Sequence, residues 1–125
     1  MGVNAFVKTS CLILLCLLLP ACSSDAAEIE KARIAFSRFQ GAILTGDRDA
    51  LHKCLTRDSR KLVNTIALDQ SSKKLLVTGG NLQRPNVILK IVDPNERHRT
   101  SRFVVAREDG EYRVDLVATA GFHQR

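Results

Sequence analysis

The sequence predicts an α+β fold in which an N-terminal amphipathic helix and short helices pack on an antiparallel meander sheet. Two observations predict it. Apolar residues recur at helical spacing between positions 29 and 43, and the C-terminal third switches to β-branched runs separated by the turn chemistry of Asp93-Pro94-Asn95-Glu96 and Asp109-Gly110.

The helical stripe is Ile29, Ala32, Phe36, Phe39 and Ile43, with Glu30, Lys31, Arg33 and Arg38 falling mostly between its members. The helix is expected to start near Glu28 and to stop at Thr45-Gly46, because glycine readily takes the left-handed conformation that closes a helix. Asp47 or Asp49 can cap a second short helix over residues 49–55, with Ala50, Leu51, Cys54 and Leu55 on its inner side. Thr56 or Asp58 can cap a third, carrying Leu62, Val63 and Ile66, before Asp69-Gln70-Ser71-Ser72 breaks the pattern. Leu75-Leu76-Val77 is too short to assign, and Gly79-Gly80-Asn81 reads as a flexible turn without the following Lys-Ser/Thr of a phosphate loop.

Three strands are expected, over residues 86–92, 100–107 and 111–119. A two-residue loop at Asp109-Gly110 sets Phe103 opposite Leu116, Val105 opposite Val114 and Arg107 opposite Tyr112 on one face. The other face then carries Arg102 beside Val117, Val104 beside Asp115 and Ala106 beside Arg113, a half-polar surface open to water, to a partner or to a second copy. The core joins Phe36, Phe39 and Ile43 to the first face.

The leading segment has its own logic. A stretch holding one lysine, Lys8, precedes unbroken hydrophobe over residues 11–19 and then Leu19-Pro20-Ala21-Cys22. Nine residues at about 1.5 Å each cover under half of a roughly 30 Å hydrocarbon layer, so a permanent span is not expected. The arrangement resembles a bacterial lipoprotein signal peptide, whose lipobox ends in a small residue before the modified cysteine. That resemblance implies cleavage after residue 21, a diacylglyceryl thioether and further acylation (palmitate type) on Cys22, and, with Ser23 rather than Asp following, the outer membrane facing the periplasm. The chain then divides into signal peptide 1–21, lipidated Cys22 with a tether 22–27, and a domain 28–125. Cys11 and Cys16 leave with the signal and Cys22 carries lipid, so Cys54 is the remaining thiol and no internal disulfide is expected.

The element order, with the segment from Phe36 through Gly46-Asp47 to Leu51, resembles the NTF2-like (cystatin-like) domains of many small bacterial lipoproteins. The resemblance implies a cone between the first helix and the sheet. Catalytic members of that superfamily, such as ketosteroid isomerase, set a carboxylate base and tyrosine or protonated-acid donors in such a cone. This chain departs from the pattern, since its one tyrosine, Tyr112, sits on a strand beside the hairpin turn. Asp115, the best-placed strand acid, is expected to pair with Arg113 and Arg102. His52, His98 and His123 lack the three- or four-residue spacing of helical metal ligands. Cys54, among apolar neighbours, reads as a buried inert thiol. No catalytic, metal or cofactor-binding residue is therefore assigned.

The net charge of +6 is spread along the chain without a basic run, as expected of a solvated surface, with an anionic membrane component as the alternative partner. Nucleic acid is not expected of an exported chain without interleaved basic and aromatic residues. The reading that results is a lipid-anchored, non-catalytic module binding an envelope protein or a small apolar ligand, against an enzyme of the same superfamily using the cone.

Overall fold

Alanines and alternating charges make residues 25–45 strong helix formers, and Asp25 and Glu28 place negative charge on the first turn, where the helix dipole favours it. In the computed structural model, which describes residues 24–123, helix α1 accordingly spans Asp25–Thr45 and starts three residues before the expected Glu28. Asp25-Ala26-Ala27, expected as tether, thus form its first turn. The lipobox and Cys22 lie outside the described residues. Gly46 ends α1 at φ 72°, with Asp47 N–H donating to the Ala42 carbonyl at 2.9 Å. Asp47 also caps α2 (Arg48–Cys54), its carboxylate accepting from Ala50 N–H at 3.0 Å. A 3₁₀ helix follows over Ser59–Thr65.

The sheet has four antiparallel strands in sequence order: β1 (Leu76–Gln83), β2 (Asn86–Asp93), β3 (Arg99–Glu108) and β4 (Glu111–Asp115). Asp109 and Gly110 both have positive φ, as a two-residue hairpin turn requires, and they fix the register expected from the sequence. Val105 pairs with Val114 and Arg107 with Tyr112 on one face, while Val104 pairs with Asp115 and Ala106 with Arg113 on the other.

Two further expectations fail. Gly79-Gly80-Asn81 is the middle of an eight-residue strand, bulged between Val77 and Gly79, and not a turn. The glycine there has a packing reason, because a Cβ on Gly80 would stand 2.7 Å from Ile29 Cγ2 and 3.2 Å from Leu89 Cδ2. Glycine lets α1 lie close against the strand. The last expected strand stops at Asp115, and Leu116–His123 forms helix α3. Phe103 and Leu116 are therefore not strand partners, nor are Arg102 and Val117. Thr119 Oγ1 accepts the Val104 N–H at 3.0 Å, replacing the bond that a longer β4 would have made.

One core results. Phe36, Leu51, Leu55, Val87, Leu89, Ile91, Val105 and Val114 are fully buried between the helices and one sheet face. Phe103, partly buried, completes an aromatic triangle, its ring centroid 5.0 Å from Phe36 and 6.3 Å from Phe39. The opposite face is not bare, since Val104 and Ile88 are buried there and Phe122 of α3 reaches it.

Phe39→Ala should cost about 3–5 kcal/mol, and Phe103→Ala somewhat less because its ring is partly exposed, whereas Arg102→Ala on the far face should cost under about 1 kcal/mol. Chemical denaturation of the three variants checks this ranking; equal small losses would mean that the aromatic triangle does not carry the packing.

Candidate functional site

Helix α1 turns the row Glu28, Ala32, Phe36 and Gln40 toward the sheet, each four residues after the last, and all four are buried. Polar side chains thus close both ends of an apolar row, and each has its partners. The Tyr112 hydroxyl donates to Glu28 Oε2 at 2.5 Å, Lys31 Nζ lies 3.4 Å from Oε1, and an Arg107 guanidinium nitrogen lies 3.7 Å from Oε2. The Arg107 guanidinium also stands 5.9 Å from the Tyr112 ring centroid. At the other end, Gln40 Nε2 donates to the Leu75 carbonyl at 3.1 Å while its Oε1 accepts Leu75 N–H at 2.6 Å. The amide serves the backbone just before β1 as a neighbouring strand would.

The electrostatics follow from those contacts. The Tyr112 hydrogen bond, with Lys31 and Arg107, outweighs burial and holds Glu28 below the ordinary carboxylate value. Burial, reinforced by the neighbouring carboxylate, pushes the Tyr112 phenol up. A carboxylate held ionised is a weak proton acceptor, and a phenol so raised is a poor acid, so the pair is arranged as a clamp between α1 and β4.

Around the packed interior the surface carries open grooves. One of about 440 Å³ runs between α1 and the β1 edge, past Arg33, Ile34, Gln40, Lys74 and Leu76. Another of about 260 Å³ lies where α1 meets the β2–β3 turn, with Phe39, Ile43, Leu44 and Leu75 beneath Asp93 and Glu96. Both combine apolar side chains with a charged border.

The residues singled out in the sequence are not brought together. Asp115 makes no ion pair with Arg113 or Arg102 among the described residues. Its carboxylate accepts Ala118 N–H at 2.9 Å and caps α3, helped by the buried Ser59 hydroxyl, which accepts Leu116 N–H at 2.8 Å. Arg113 turns instead to Glu108 and Glu111, each at 3.4 Å. His52 lies on α2, His98 in the β2–β3 turn and His123 at the end of α3, where it borders a groove with Phe103. Among the described residues no group of three or more His, Cys, Asp or Glu side chains could hold a metal ion. Cys54 is partly buried against the core, and burial raises its thiol above the ordinary value. Glu28 and Gln40 are buried polar residues that the apolar stripe from Ile29 to Ile43 leaves out. Their signal was phase, since both fall on the i, i+4 row of Ala32 and Phe36.

Searches against protein-family models, curated proteins and solved structures found no match to the chain.

Two outcomes are expected. Because the folded Glu28 carboxyl lies below its unfolded value of 4.5, its contribution is complete above that value and is lost as pH falls through the lower folded one. Glu28→Gln should remove that acid-side loss, seen as a flatter thermal midpoint between about pH 6 and about pH 3. Cys54, with its raised pKa, should react slowly with a bulky thiol reagent in the native protein and quickly once unfolded. Fast native labelling would expose a reactive thiol.

Proposed function

We propose that this chain is a lipid-anchored lipoprotein of the bacterial envelope, attached through Cys22 to the periplasmic side of the outer membrane. Its domain, NTF2-like in the order of its elements, serves as a non-catalytic module binding an envelope protein or a small apolar ligand. The observation that carries binding over catalysis is the filled space between α1 and the sheet. Phe36, Leu51, Leu89, Ile91 and Val105 occupy it, and the polar groups at its ends, Glu28 and Gln40, are fully partnered. A reaction site of the superfamily type needs an open cone with unpartnered polar groups converging in it. Recognition then falls to the surface, and the groove of Phe39, Ile43, Leu44 and Leu75 offers an apolar floor of suitable size.

The anchor rests on the order of Lys8, the hydrophobic run 11–19 and Leu19-Pro20-Ala21-Cys22. No described helix is long and apolar enough to cross a membrane. Two or three acyl chains, at about 0.8 kcal/mol per buried methylene, would hold a protein of this size firmly.

One pair favours the alternative, an enzyme of the same superfamily. Glu28 and Tyr112 set a carboxylate against a phenol, as acid–base pairs do. Their mutual hydrogen bond and opposed pKa shifts argue for the structural role.

Cys22→Ser should leave an uncleaved precursor without bound lipid, because the diacylglyceryl group has no other thiol at the cleavage site to join. Metabolic labelling with radioactive palmitate and carbonate washing of membranes read this out. A variant that is still matured and still membrane-bound would overturn the anchor.

A further inference from the structure

On the sheet face away from α1, Lys90 of β2 stands directly opposite Arg102 of β3. Directly opposed residues of an antiparallel pair hold their Cβ atoms about 5 Å apart, and like charges so placed repel. Both side chains are exposed, and among the described residues neither forms an ion pair or a side-chain hydrogen bond. The acid that the sequence offers to Arg102, Asp115, is turned to the N-terminus of α3. Among the described residues that line this face, no other carboxylate stands beside the pair: β1 supplies Gly79 and Asn81, β2 supplies Ile88, and α3 supplies Phe122. Together with Gly80 and Gln83 they enclose a groove of about 290 Å³ around the two cations. Gly79, the β1 residue opposite Lys90, has no side chain to fill it.

Two adjacent cations with no acid paired to them among the described residues, in a concave setting, are stabilised by an anion with several oxygens. Arg102 can offer two parallel N–H donors and Lys90 a third from the side, which suits a phosphate better than a carboxylate with its two oxygens. Phe122, 36% exposed, and Ile88 add an apolar wall beside the charged end. We propose that the Lys90–Arg102 groove binds a phosphate group, with Phe122 receiving an apolar body attached to it. The site is separate from the groove near Leu75 and does not depend on the anchor, which Cys22→Ser tests by itself.

The test is titration of the full chain, kept in neutral detergent at low salt. The probes are dihexanoyl phosphatidic acid, inorganic phosphate and the zwitterionic dihexanoyl phosphatidylcholine, followed by calorimetry and by the Gly79 and Arg102 NMR signals. Saturable binding of phosphatidic acid is expected, weakened about tenfold or more by Lys90→Gln and by Arg102→Gln. Lys90→Glu should abolish binding yet raise the thermal midpoint without ligand, because it replaces an opposed like-charge pair by an ion pair. That second readout separates a lost site from a damaged fold. Equal affinity for inorganic phosphate identifies free phosphate compounds as the source; a preference for the lipid that Phe122→Ser removes identifies a lipid headgroup. Absence of saturable binding by either phosphate probe overturns the proposal, as does equally tight binding of phosphatidylcholine or unchanged affinity in both glutamine variants.

Discussion

The contact of one α1 stripe with one sheet face is the constraint on which the other features depend. Phe36 and Phe39 from the helix meet Phe103 from β3, and tilted rings at 5.0 to 6.3 Å form the centre of the core. A helix of 21 residues and a meander of short strands cannot bury their apolar surfaces separately, so neither persists without the other. The distance of closest approach is then set at the edges. Gly80 yields space to Ile29 on β1, and the Glu28–Tyr112 bond joins the first turn of α1 to β4.

That arrangement explains why the polar groups of the interior sit where they do. Glu28 and Gln40 bracket Ala32 and Phe36 on a single helical row, so the apolar centre stays dry and each polar end meets a strand that has something to offer. Tyr112 provides a hydroxyl, and Leu75, in the segment entering β1, provides an N–H and a carbonyl that Gln40 takes up. The second edge of the sheet is closed differently. Leu55 bridges to Val114, and Thr56 N–H donates to the Val114 carbonyl, so α2 leads directly into the flank of β4. Beyond Asp115 the same flank passes to α3, whose Thr119 hydroxyl meets the N–H of Val104. β1 is left as the side of the sheet without a neighbouring strand.

Much of this was legible from residue spacing. The turn at Asp109-Gly110 demands left-handed backbone, and that local demand fixes the β3–β4 register. Gly46 and Asp47 mark the break between helices for similarly local reasons. What escaped was decided at long range. A glycine pair reads as a turn until the helix lying across it is known, and Gly80 stands in β1 because Ile29, some fifty residues earlier, fills the space a side chain would take. Residues 111–119 read as one strand, yet Ser59 and Asp115 supply hydrogen-bond acceptors to Leu116 and Ala118, and helix takes over. Asp115 stands at its expected register position opposite Val104, but its carboxylate goes to a backbone amide of α3 rather than to the guanidinium groups nearby in sequence and register. The Lys90–Arg102 opposition could not be read at all, because it depends on the β2–β3 register, which a five-residue connection leaves undetermined.

The early start of α1 has a mechanical consequence. Its first residue, Asp25, follows Cys22 by only three positions, and extended chain gains at most about 3.5 Å per residue. With lipid on Cys22, the helix would therefore begin within roughly 10 Å of the headgroups, giving the body a short radius of swing. A rod of 21 residues at about 1.5 Å each adds some 30 Å, so the β2–β3 turn at its far end marks the outer limit of reach. So tethered, the molecule would patrol a shell next to its own leaflet, and whatever it met would have to come to that shell.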